Sequence, residues 1–460
     1  MRTAVETAPR SAPRDRWRPA VPDVLVVAAA VVFAVAMWRW GRWLIDERGY
    51  DLFVFFPPLL AGFEPHTGPG TVPAIVVAAL VVVFGPPLAT RLRRRVLFPL
   101  TWAASFAWIT SLALVDGWQR GIADRLATDQ EYLHDVGRVD GIGQMLSIFS
   151  EHILTAGQQP GQQWWWATHV AAHPPGAFAV FIGLDRIGLS GGGWAGMVVI
   201  AVGASAAVAT AVTLWALGAE RWARAALPFA VLFPGAVWMG VAADGLFAAV
   251  LAWGVALLAL AATATTSARA WLLGVAAGLV LVLSLYLNYG LVLAGLLPLV
   301  VLVLTRRTAV VVPALLGGGG GVVAAFTLAG FWWYEGYEKL RLIYAASIAS
   351  ERPYWYFVFA NLAAVGYVLG PAVLAGLRRL GTRPRSAAAP LALLVAAGVA
   401  AMLVANLSGM SKGEVERIWL PFAIWVVQAT ALLPRSQVRV WLAAQAVLAL
   451  GVNHLLSMPW

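Results

Sequence analysis

The sequence predicts a polytopic α-helical membrane protein, and three observations predict it. The 460 residues are 61% hydrophobic, with a mean hydropathy of +0.78. Charged residues make up only 12%, about half the share usual in soluble domains. Apolar runs of about 20 residues, enough to cross a bilayer as a helix, recur along almost the whole chain. Only helices or closed barrels satisfy every backbone group in lipid, and these runs are too long for barrel strands. The absence of cysteine excludes a disulfide-stapled secreted scaffold.

Taken in order, the spans fall near residues 21–44, 71–90, 97–116, 192–217, 226–243, 245–265, 270–287, 289–305, 308–331, 355–377, 388–406, 418–434 and 438–456. The expected bundle therefore has about thirteen transmembrane helices. Residues 1–20 read as a disordered, cytoplasmic basic tail leading into a signal-anchor helix, and 21–96 as two N-terminal helices. Residues 97–331 form the core, including a long outer loop at 117–191. Residues 332–460 hold the C-terminal helices, with outer loops at 332–354 and 407–417.

Placing the tail inside assigns every other loop by alternation. The inner segments then hold 20 of the 32 basic residues and four of the 22 acids, which leaves the inside at +16 and the outside at −6. This asymmetry is the positive-inside pattern. The net charge of +10 consequently reports orientation, and short juxtamembrane arginine clusters of this kind attract anionic lipid rather than nucleic acid.

All six histidines and most acids fall outside, densest between residues 116 and 175. A loop this long in a compact membrane protein is functional or disordered, and its periodic apolar residues (Met145, Leu146, Ile148, Phe149, Ile153, Leu154) argue for order. One or two short interfacial helices are expected, with Trp164, Trp165 and Trp166 at headgroup depth. Asp129, Glu131 and Asp135 crowd its front beside His134. Neighbouring carboxylates raise one another's pKa, which suits a general base, although a solvated acidic turn has the same composition. His134, Asp135, His169 and His173 would admit a divalent ion. They lack the tight spacing of a zinc motif, so a metal is not favoured and no cofactor is expected. In His173-Pro174-Pro175-Gly176, two prolines preset the entry into a helix over 177–187, which is short for a span and is expected to lie along the interface.

Together these segments resemble the GT-C superfamily of polyprenyl-phosphate-sugar-dependent glycosyltransferases, particularly protein O-mannosyltransferases and bacterial aminoarabinose transferases. Asp129-Gln130-Glu131-Tyr132 resembles the family's first-loop acidic motif, and His173-Pro174-Pro175 resembles its His-Pro-Pro element. Asp244 resembles an aspartate at an outer turn between close helices. Glu416-Arg417-Ile418-Trp419-Leu420-Pro421 resembles the element where a late span begins. The likeness runs over residues 97–421, in order and on one side of the membrane.

The resemblance implies a GT-C-like bundle and an inverting transfer. A carboxylate, Asp129 first and Glu131 second, would deprotonate an acceptor hydroxyl that attacks a lipid-phosphate sugar. Tyr132, His134, Asp135, His169, His173 and Asp244 would line the substrate site. Arg417, Lys412, Arg341 and Arg352 would steady the lipid phosphate, though a cation snorkelling beside Glu414 or Glu416 explains Arg417 equally well. The donor would be a polyprenyl-phosphate-linked sugar, mannosyl or arabinosyl by analogy. The acceptor would be a glycolipid, polysaccharide or protein outside a bacterial plasma membrane. A transporter or lipid-linked-saccharide flippase is the rival reading, but no internal repeat is evident and almost every charge sits at a span end.

Overall fold

In the computed structural model, residues 20–305 and 307–459 are described, so the expected cytoplasmic tail lies outside them except for Ala20. The chain is almost entirely helical. Among the described residues, ten helices are long and apolar enough to cross a membrane.

The first three long helices are α1 (Val21–Asp46), α2 (Thr71–Arg91) and α3 (Arg94–Ala113). The long loop holds four short helices, where one or two and a helix over 177–187 are expected: α4 (Leu133–Val136), α5 (Ile142–Ile148), α6 (Thr168–Ala172) and α7 (Pro175–Arg186). Next come α8 (Gly192–Ala204) and α9 (Ala206–Ala216), then α10 (Glu220–Val231), α11 (Ala236–Met239), α12 (Ala243–Ala262) and α13 (Ser267–Leu285). After a turn at Asn288 follow α14 (Leu296–Thr305), α15 (Thr308–Leu328), and the loop helices α16 (Trp333–Ala345) and α17 (Ile348–Glu351). The C-terminal part holds α18 (Tyr354–Thr382), α19 (Ala389–Leu407), α20 (Val415–Ile418), α21 (Leu420–Val426) and α22 (Val438–Leu455). A two-residue antiparallel pair, β1 (Gly62–Phe63) with β2 (Leu456–Ser457), joins the first loop to the segment after α22.

Three of the thirteen expected spans are not among the ten long apolar helices. The 226–243 stretch is the amphipathic α10, a break at Pro234-Gly235, and the short buried α11. Proline disfavours the helical region for the residue before it, so the chain turns there although every residue of the break is apolar or small. The 289–305 stretch opens as a 3₁₀ turn over Tyr289–Gly295, and the 418–434 stretch ends as one over Val427–Leu432.

α12 is the centre of the bundle. Of its most apolar stretch 78% is buried within the protein, against 6% for α1 at the periphery. The glycine run over 317–321 packs α15 on α13. A Cβ at Gly318 would sit 2.1 Å from the Val275 carbonyl, and one at Gly278 would sit 2.1 Å from that of Leu315. Bare backbones therefore approach at two reciprocal points, as small residues allow between helices in lipid.

The ion pairs sort into the two ends that the charge pattern assigns. Asp23 pairs with Arg378 and Arg379, and Arg94 and Arg224 with Glu220, at one end. Arg120–Glu64, Arg125–Asp116, Glu131–His169, Arg352–Glu414 and Arg417–Asp244 lie at the other.

Candidate active site

The His173 element is built as the sequence suggests. Pro174 caps α7 from an extended conformation and Pro175 occupies its first turn, where a missing N–H leaves nothing unsatisfied. Gly176 admits the close approach of this helix start to the end of α13, because a Cβ there would lie 2.5 Å from the Tyr286 carbonyl. His173 is thereby held between two partners. Its Nδ1 lies 2.8 Å from the His169 carbonyl and 3.0 Å from the Tyr132 hydroxyl. Burial pushes His173 down to about 4, so the ring is neutral near pH 7.

His169, one turn earlier on α6, meets Glu131 at 2.7 Å through Nδ1, while its Nε2 lies 3.1 Å from Arg417 Nη2. The same guanidinium donates to Asp244 Oδ2 at 2.9 Å and to Glu414 Oε2 at 3.0 Å. Asp244 stands in the first turn of α12, where the helix N-terminus favours a negative charge. Glu414, just before α20, adopts a left-handed backbone (φ 61°), which costs about 1 kcal/mol for a non-glycine residue. Arg352 holds its other oxygen at 3.1 Å. The Tyr132 ring stacks on Phe181 of α7 and closes one side of the cluster.

Thus Glu131, Tyr132, His169, His173, Asp244 and Arg417, drawn from four separated segments, form one buried network. Burial would push Glu131 and Glu414 up. The neighbouring His169 and Arg417 outweigh it at Glu131, and Arg417 and Arg352 outweigh it at Glu414, so both carboxyls lie below their usual range. Burial likewise disfavours the Arg417 charge, but Asp244, Glu414 and Glu131 together hold its pKa above the ordinary value.

The network backs onto a cavity of about 670 Å³. Gln130 and Thr168 form the shared wall, joined by a 2.8 Å side-chain hydrogen bond and by the His169 N–H donating to the Gln130 carbonyl at 2.9 Å. Their chain neighbours Glu131 and His169 belong to the network. Asp129, His134, Arg138, Thr155, Gln158, Gln163 and Ser347 supply the cavity's remaining polar lining, with Trp164, Trp165 and Tyr344 as aromatic walls. Asp129 is exposed and faces this space, whereas Glu131 is turned into the network.

The other sequence candidates are placed differently. Asp135 is fully buried and serves as an anchor, accepting from the Ala167 N–H at 2.7 Å and pairing with Arg138 at 2.9 Å. Trp166 is 1% exposed and donates to the Phe149 carbonyl, so it is a core residue rather than a headgroup anchor. Lys412 donates to the Ser350 carbonyl and faces the Tyr344 ring, and Arg341 is exposed on α16. Among the described residues no three His, Asp or Glu side chains are grouped to hold a metal ion. Arg138 is the cation that sequence reasoning missed. Its signal is local, since it stands three residues after Asp135 and four after His134, both of which it contacts.

No protein-family model and no curated protein matches the chain. Two solved structures of ArnT from Cupriavidus metallidurans are similar to it. The apo form matches at 18% identity and TM-score 0.40, over 65% of this chain and 55% of that one. The form bound to undecaprenyl phosphate matches at 17% identity and TM-score 0.43, over 73% of this chain and 60% of that one. The chain thus corresponds to less than two thirds of either ArnT chain.

Proposed function

We propose that this protein is an integral-membrane glycosyltransferase that transfers a sugar from a polyprenyl-phosphate carrier to an acceptor hydroxyl. The observation that carries the reading is convergence. The four segments whose motifs resemble GT-C enzymes meet in one buried network at one end of the bundle, and Gln130 and Thr168 join that network to a polar and aromatic cavity. A structural loop would need no such meeting.

In this reading Asp129 is the general base. It is the carboxylate of the motif that faces the cavity, where an acceptor hydroxyl can come within hydrogen-bond reach. The hydroxyl proton passes to Asp129, the oxygen forms its bond to the anomeric carbon, and the bond from that carbon to the lipid phosphate breaks with inversion. Glu131 acts as a positioning residue through His169. Arg417 is held by two carboxylates, which leaves Arg138 at the cavity wall and Lys412 beside Tyr344 better disposed toward a leaving phosphate. The positive-inside pattern supports a cavity facing away from the cytoplasm. A mannosyl or arabinosyl donor is the first class to try.

The test is turnover by purified protein with a panel of undecaprenyl- and decaprenyl-phosphate sugars. Asp129→Asn is expected to abolish transfer while leaving folding and donor binding intact. Glu131→Gln is expected to lower the rate and to alter its pH profile. Full activity in Asp129→Asn would remove that residue as base. No turnover or binding with any donor would return the transporter reading.

A further inference from the structure

We propose that the groove between α2, α3 and α10 is a binding site for an anionic phospholipid, at the end of the bundle opposite the candidate active site. The groove is a cavity of about 380 Å³ lined on α2 from Val77 to Ala89, on α3 from Leu97 to Ala107, and on α10 from Leu227 to Val231. Its lining is apolar throughout. The single hydroxyl there, on Thr101, donates to the Leu97 carbonyl at 2.8 Å, so its proton is already engaged. At the helical rise of about 1.5 Å per residue, Val77 to Ala89 spans about 18 Å, close to one leaflet of a hydrocarbon core about 30 Å thick. Gly85 opposite Pro228 leaves the space open, since a side chain at Gly85 would meet the Pro228 ring.

The second observation is the charge at the groove's end. The lining stops at Ala89 on α2 and at Leu97 on α3, and between them stand Arg91, Arg93, Arg94 and Arg95. Arg94 and Arg224 are engaged by Glu220, and Arg224 also donates to the Ala89 and Leu92 carbonyls. Arg91, Arg93 and Arg95 are exposed and make no ion pair among the described residues. Arg221 on α10 is exposed nearby and lies over the Trp222 ring. An acyl chain fits the apolar slot, and a phosphate headgroup meets unneutralised guanidinium groups at its mouth. A zwitterionic lipid would bring a choline cation to the same arginines and gain less. Arginine clusters that only set topology need no shaped groove beside them; this one has both.

The experiment is native mass spectrometry of the full chain released from neutral detergent, titrated with phosphatidylglycerol or phosphatidylcholine. The intact protein is expected to retain phosphatidylglycerol at least ten-fold more tightly. The triple variant Arg91→Gln, Arg93→Gln, Arg95→Gln is expected to lose that preference, and Ala104→Phe, which fills the groove with every arginine in place, is expected to weaken phosphatidylglycerol ten-fold. Leu80→Trp, at a more exposed lining position, serves the same purpose should Ala104→Phe fold poorly. Loss in the arginine variant alone, with both groove variants unchanged, would reduce the site to surface charge and overturn the proposal. Equal retention of phosphatidylcholine, or tighter retention of undecaprenyl phosphate than of phosphatidylglycerol, would overturn it as well.

Discussion

Arg417 Nη1 lies 2.9 Å from Asp244 Oδ2, although 173 residues separate them in the chain. Both side chains are buried, so Asp244 depends on Arg417 for a partner that water cannot supply, while Arg417 also holds Glu414 and His169. Arg417→Gln should destabilise by about 3–5 kcal/mol, because it leaves the Asp244 carboxylate uncompensated inside, and Asp244→Asn should cost less, because Arg417 keeps Glu414. The double variant should lose less than the sum, with a coupling of about 1–3 kcal/mol in thermal unfolding of the detergent-solubilised protein. Strictly additive losses would show that the contact carries no energy.

Two buried groups of this region make opposite contributions to pH dependence. Burial pushes Glu416 up to about 7, so its contribution is greatest below pH 4.5 and falls as pH rises through 7. His173, pushed down to about 4, contributes most above pH 6.5, and that is lost as pH falls toward 4. Between about pH 4.5 and 6.5 the two slopes oppose one another. Glu416→Gln should therefore leave a protein whose Tm rises with pH over this window. His173→Gln should leave one whose Tm falls. Parallel Tm profiles for the parent and both variants, from pH 4 to 8, would contradict the assignment.

The α13–α15 contact predicts a steric result. Gly318→Leu forces a side chain against the Val275 carbonyl, and overpacking of this kind costs about 1–3 kcal/mol. Gly317→Leu, at a position facing open space in the same run, should change Tm little. Equal effects at both positions would show that helix propensity, not contact, governs the segment.

At the opposite end of the bundle Asp23 is fully buried between Arg378 and Arg379, with contacts of 2.6 and 2.5 Å. Asp23→Asn keeps the shape and removes the charge. A loss of about 3 kcal/mol is expected as the charge-assisted hydrogen bonds from two guanidinium groups weaken, read as a lower Tm that high salt does little to restore.

Much of this molecule was legible in its sequence because hydropathy and charge are local signals. The long spans and the presence of short helices in the acidic loop follow from residues near one another. The break at Pro234-Gly235 was hidden by its own composition, since apolar turns look like helix to a hydropathy average. In the site, Glu131, His169, Asp244 and Arg417 were individually visible through their motifs, but their pairing was not. Glu414 entered only as a neighbour of Arg417, although it bridges both arginines of the cluster. The polar group of Asp116, Arg125 and the Met458 carbonyl was unforeseen, because 333 residues separate the last two. Trp166 shows the reverse error, since three adjacent tryptophans suggest one environment and the chain gives them different ones.

α18 is broken at Gly370, whose left-handed backbone (φ 74°) interrupts the hydrogen-bond ladder, and the buried Gln445 of α22 repairs the gap by accepting from the Ala372 N–H and donating to the Leu369 carbonyl. The two halves of α18 are thus rods meeting at a joint. α1 runs alongside both, tied to the far half through Asp23 and to the near half where Tyr356 donates to the Met37 carbonyl. The least buried of the ten long helices is therefore a splint. It fixes the angle of a jointed helix that begins two residues after Arg352, and so a peripheral strut sets where one wall of the buried cluster stands.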